Sequence, residues 1–115
     1  MQAQTEWVMH TEYPDLRDYP EIAIDLETKD TDLKSLGSGA VVGRGEVVGI
    51  AVGVENGSWY FPIAHAEGPN SDREKTLEWF KDILNCPATK IFHNAMYDVC
   101  WIRKLGLNIN GLVVD

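Results

Sequence analysis

Ile22-Ala23-Ile24-Asp25-Leu26-Glu27-Thr28 decides how the rest of the chain is read. Successive side chains of a strand point to opposite faces, so Ile22, Ile24 and Leu26 fall on one face and Asp25 and Glu27 on the other. The first face suits a core. The second places two carboxylates one step apart on a mainly apolar strand, where they repel each other and resist loss of water. A cation between them relieves both costs, and Mg²⁺ or Mn²⁺, which are hard and prefer oxygen, are the natural candidates.

Outward from this strand, residues 1–20 form a mixed, aromatic-bearing lead-in, with Pro20 just before the first strand, where proline is tolerated. Residues 29–45 are polar and glycine-rich. They follow no phosphate-loop pattern and are read as turns. Glu46–Glu55 is a strand of alternating small and branched residues. Asn56-Gly57 is a hairpin turn, and Ser58–Ile63 is the returning strand. Trp59, Tyr60 and Phe61 read as packing residues, and His65 as a loop histidine.

Ser71 and Glu74 stand at capping-box spacing ahead of a helix whose apolar stripe is Leu77, Phe80, Ile83 and Leu84, ending at Asn85-Cys86-Pro87. Lys90–His93 is a short strand that runs into a helix from Asn94 to Gly106, and Gly111–Asp115 begins another strand. Asn94 and Asp98, four apart, share a helix face with Trp101 and Leu105. An aspartate on so apolar a stripe needs a partner, and a metal shared with Asp25 and Glu27 would provide one. Strand, hairpin, helix, strand, helix, strand predicts an α/β fold of ribonuclease H-like outline. Its mixed sheet has three antiparallel strands, then parallel ones, with helices packed on it.

The 115 residues, 44% hydrophobic, suffice for one compact domain. No stretch has the length of a transmembrane span, and the N-terminus lacks the features of a signal peptide, so a cytoplasmic protein without membrane contact is expected. Cys86 and Cys100 form no C-x-x-C pair, which argues against zinc. A net charge of −8 argues against a broad basic DNA-coating surface. It leaves room for an enzyme that meets phosphate through metal ions.

Asp25-Leu26-Glu27-Thr28 and His93-Asn94-Ala95-Met96-Tyr97-Asp98 resemble the first and second motifs of the DEDD (DnaQ-like) 3′–5′ exonucleases. More narrowly, the chain resembles the proofreading exonuclease domain of family A DNA polymerases, phage type. Trp59–His65 is similar to that family's hairpin return, and Gly111–Asp115 to the strand leading into its next Asp-Thr segment. The resemblance implies two divalent ions, Mg²⁺ or Mn²⁺, with Asp25 bridging them, Glu27 on the first and Asp98 serving the second. It also implies that Thr28 and Asn94 hold the 3′-terminal nucleotide of single-stranded DNA and that Leu26 touches its base. His93 is read as structural.

The family's third motif, Tyr or His followed four residues later by Asp, is not found within residues 1–115. The expectation is therefore a C-terminally incomplete exonuclease domain over 1–115, with residues 1–20 as lead-in and 21–115 as the core. It carries three of four metal ligands and has little or no activity alone. Its partners would be the remainder of a polymerase chain or a complementary fragment, in a bacterial or phage-infected cell. Two other readings stay open. One is a non-catalytic ribonuclease H-like interaction module that forms oligomers through exposed core surface. The other is an RNA-trimming exonuclease of the ribonuclease D type.

Overall fold

The computed structural model describes residues 12–29 and 45–115. The glycine-rich stretch read as turns lies almost wholly outside them, as does the start of the lead-in. Five strands form one sheet: β1 (Glu21–Lys29), β2 (Glu46–Val54), β3 (Gly57–Pro62), β4 (Thr89–Phe92) and β5 (Val113–Val114). Their spatial order is β3-β2-β1-β4-β5. The first three strands pair antiparallel, and β4 and β5 join parallel on the far side of β1. Helix α1 (Arg73–Asn85) connects β3 to β4, and α2 (Ala95–Lys104) connects β4 to β5. This is the expected ribonuclease H-like mixed sheet, with β1 as the strand where antiparallel pairing changes to parallel.

The alternation read from β1 holds: Ile22, Ile24 and Leu26 are buried, whereas Asp25 and Glu27 are exposed. Ile50 and Val52 of β2, Phe80, Ile83 and Leu84 of α1, Phe92 of β4, and Trp101 and Ile102 of α2 complete the core. The described part of the lead-in packs against the domain. Leu16 is in the core, Tyr13 stacks on Phe61 with ring centroids 4.8 Å apart, and the Trp79 indole N–H donates to the Pro14 carbonyl at 2.7 Å.

Four local expectations shift. The hairpin turn falls on Glu55-Asn56 rather than Asn56-Gly57, because Gly57 already pairs with Val54 as the first residue of β3. The cap of α1 is Asp72, not Ser71: its carboxylate accepts from the Lys75 N–H at 2.9 Å, while Ser71 Oγ is buried with no partner among the described residues. Asp72→Ala is therefore expected to cost about 1 kcal/mol in urea unfolding. An equal loss from Ser71→Ala would restore the cap to Ser71. The helix after β4 begins at Ala95, so Asn94 is its cap rather than a member of its face, and His93 lies just past the strand. The strand expected over Gly111–Asp115 covers only Val113–Val114. Cys86 and Cys100 are free thiols.

Between Glu27 and Thr28 the β1–β2 register slips: Glu27 faces Gly49 but Thr28 faces Val47. The extra β2 residue, Val48, accepts from the N–H groups of both Ile63 and Ala64. Such a bulge re-aims the side chains beside it.

Candidate active site

The carboxyl ends of the parallel strands β1 and β4 meet the N-terminus of α2, the place where open α/β sheets present their ligands. Asn94 Oδ1 accepts from the Tyr97 N–H at 3.4 Å, closing the first turn of α2. Asp115 Oδ1 accepts from the Ala95 N–H at 3.1 Å, so an anion from the end of β5 also caps the helix. The first turn thus held aims Asp98 at β1.

Asp98 is only 3% exposed, and its Oδ2 has no hydrogen-bond partner among the described residues. Burial and the charge of Asp25 push its pKa up to about 6. The Leu26 backbone N–H and His93 pull against them without cancelling them, and Asp115 adds to the rise. A buried carboxylate oxygen without a protein hydrogen-bond partner, beside a second carboxylate, is chemically suited to a cation. Oxygen donors of this kind fit Mg²⁺ or Mn²⁺.

Thr28, just past the bulge, is tied to α2 by a 2.6 Å hydrogen bond between its hydroxyl and that of Tyr97. Leu26 is buried in the core, so its side chain is a packing residue in this structure. Asn94 is exposed, with its side-chain oxygen turned to its own helix.

Glu27 is turned the other way, toward the hairpin. Its Oε1 accepts a hydrogen bond from the Tyr60 hydroxyl and lies 3.3 Å from His65 Nε2. His65 Nε2 is 2.6 Å from the same hydroxyl. Desolvation, followed by the bond to Glu27, holds the Tyr60 phenol well above its ordinary pKa, so it remains a donor. The structure thus brings Asp25 and Asp98 into each other's field and joins Thr28 to α2. It does not close all three carboxylates around one point: among the described residues, no three His, Cys, Asp or Glu side chains form a metal-sized cluster.

Sequence reasoning missed Tyr60 and His65, which it had placed as packing and loop residues. The available signal was the period-two run of small residues, Gly49, Ala51 and Gly53, along β2. A strand face so bare leaves space for a neighbour's side chain to cross it.

No helix among the described residues is long and apolar enough to cross a membrane. A family model described as 3′–5′ exonuclease, of the DNA polymerase A type, matches residues 8–115. A DNA-directed DNA polymerase of Pseudomonas phage M6 is 37% identical over 87 residues. That alignment covers 67% of this chain and 12% of the phage protein, so the chain spans a small part of its relative. With the fold, the two motifs and their elements in agreement, the chain belongs to the 3′–5′ exonuclease domain family of the family A DNA polymerases.

Proposed function

We propose that this chain is a proofreading exonuclease module, hydrolysing the 3′-terminal phosphodiester of single-stranded DNA with Asp25, Glu27 and Asp98 as its metal-holding carboxylates. The orphaned, buried Asp98 Oδ2 beside the charge of Asp25 carries this reading. Two divalent ions, bound by these residues, would supply an activated water and neutralise the leaving oxygen. Asp98, fixed by the capped first turn of α2, offers its charge from the helix side. Asp25 offers its own from β1. Thr28 and Asn94 stand at the rim where the terminal nucleotide would lie, with the Thr28 hydroxyl held in place by Tyr97.

The same proposal takes residues 1–115 as one exonuclease unit, with residues 1–20 as lead-in and 21–115 as the core. Leu16 buried in that core supports it. The chain would work beside a polymerase in the cytoplasm of a bacterial or phage-infected cell. The phage polymerase relative supports that context, and with it DNA over RNA. The residues present supply three of the four carboxylates expected of the family, so little nuclease activity is expected without a segment that bears the third motif.

The test is release of mononucleotides from a 3′-labelled single-stranded oligonucleotide in Mg²⁺ or Mn²⁺, with that segment added and omitted, on DNA and on RNA. Activity on DNA that requires the added segment and falls to background in Asp25→Ala is the expected result. Preferential cleavage of RNA would favour trimming. Silence in every arm would overturn the nuclease reading. It would favour the interaction module, which the exposed Leu112, Val113 and Val114 at the β5 edge support.

A further inference from the structure

We propose that Tyr60 and His65 are positioning residues for Glu27, reaching it across β2 through a gap that Gly49 leaves open. This rests on the reading of Glu27 as a metal-holding carboxylate and adds the device that orients it.

The register defines the path. On the outward face, Asp25, Ala51 and Tyr60 form one cross-strand row, and Glu27, Gly49 and Pro62 the next. Tyr60 leans diagonally from its own row into the neighbouring one, over Gly49, to place its hydroxyl on Glu27 Oε1. A Cβ at Gly49 would lie 1.8 Å from the Tyr60 hydroxyl oxygen and 2.4 Å from the ring carbon that bears it. Any side chain there displaces the phenol. The glycine is thus required by the contact, since its backbone is ordinary extended strand.

Proton accounting fixes the order of the relay. Glu27 as a carboxylate only accepts, so the single phenol proton goes to Oε1. His65 Nε2 must then carry its own proton and donate to the phenol oxygen. Asn70 holds the histidine from behind: its Oδ1 accepts from the His65 N–H at 2.8 Å, and its Nδ2 donates to the His65 carbonyl at 3.2 Å. The Tyr60 bond and the His65 contact are both made to Oε1, and Oε2 is the oxygen assigned to the ion. Polar partners of this kind set the direction of a ligating carboxylate, and their loss typically weakens metal binding by about 10- to 100-fold.

The experiment is Mn²⁺ titration of the chain, followed by loss of the free-ion electron paramagnetic resonance signal. Variants are Glu27→Gln, Tyr60→Phe, His65→Gln, Gly49→Ala and the double Glu27→Gln/Tyr60→Phe. Tyr60→Phe, His65→Gln and Gly49→Ala are expected to bind about tenfold more weakly. Unfolding midpoints in EDTA should stay near that of the parent for Tyr60→Phe, which carries the test if Gly49→Ala fails to fold. The double variant should bind no worse than Glu27→Gln, because the pair acts only through that carboxylate. Mg²⁺ should also shift the His65 ring nitrogen resonances in the parent and not in Glu27→Gln. If Tyr60→Phe and His65→Gln bind as the parent does while Glu27→Gln does not, the positioning role is wrong and the metal reading stands. If Glu27→Gln binds as tightly as the parent, or the parent binds no Mn²⁺, both fall.

Discussion

In metal-free buffer at pH 8, Asp98→Asn is expected to be more stable than the parent chain by about 1–3 kcal/mol, although it removes a proposed metal ligand. The folded protein raises the Asp98 pKa from 3.8 to about 6, chiefly by burial and by Asp25. At pH 3 and below the carboxyl is largely protonated whether the chain is folded or not, and the site costs almost nothing. Between about pH 4 and pH 6 the unfolded chain ionises first, so stability falls as pH rises. Above pH 6 the full cost is present, at most about 3 kcal/mol for a shift of this size. Asparagine has no charge to lose. Its buried amide N–H groups need acceptors, which trims the gain. Urea unfolding in EDTA at pH 3 and pH 8 checks this: the variant should gain at pH 8 and show almost no gain at pH 3. A variant weaker than the parent at pH 8 would mean that Asp98 is already paired in the apo protein. Mg²⁺ should stabilise the parent at pH 8 and leave the variant unchanged, since ligand binding to the folded state adds stability by mass action.

Lys90→Met is expected to destabilise the chain by about 2–4 kcal/mol. Lys90 is fully buried, an unusual fate for a lysine. Its ammonium donates to the carbonyl of Cys86, the C-cap of α1, and to that of Asn110 at 2.9 Å. No basic residue stands in the last turn of α1, so Lys90 brings the positive charge that this helix end favours. It also ties that end to the turn entering β5. Gly111 passes so close that an added Cβ would lie 2.7 Å from the Ala88 carbonyl oxygen and 3.3 Å from Lys90 Nζ. Methionine fills similar space but donates nothing, leaving two inner carbonyls short of a partner. Urea unfolding with an unchanged denaturant slope checks it. A loss under 1 kcal/mol would show that the carbonyls find other donors.

The parts legible in the sequence were those that local patterning dictates. The alternation in Ile22–Thr28 and the apolar stripe of α1 each follow from a periodicity, and the Asn56-Gly57 signal located the hairpin to within one residue, its turn falling on Glu55-Asn56. The motif carboxylates were legible as well, because two acids on an apolar strand and one on an apolar helix stripe are locally costly. What stayed hidden depends on register. The slip between Glu27 and Thr28 is a property of two strands at once. Tyr60 and Phe61 are neighbours in an aromatic run, yet Phe61 is buried and Tyr60 crosses the opposite face to Glu27. Asn94 looked like a helix-face residue because its spacing to Asp98 ignores where the helix begins. Lys90 read as an ordinary strand residue because its two acceptors are backbone carbonyls, one at the end of α1 and one in the turn before β5, that no side-chain pattern announces.

The parallel pairing of β1 with β4 sets the timing of assembly. The hairpin β2–β3 closes over a few residues, but Ile22 must find Lys90 before Asp25 and Asp98 come near each other. Contacts so far apart in the chain are slow to form, since their loop must close before they contribute anything. The carboxylates that repel are therefore expected to meet after the β2–β3 hairpin has closed. An ion that needs both strands and α2 would bind only chains that have completed this step. Metal occupancy would then serve as a clock for folding, running late relative to the hairpin.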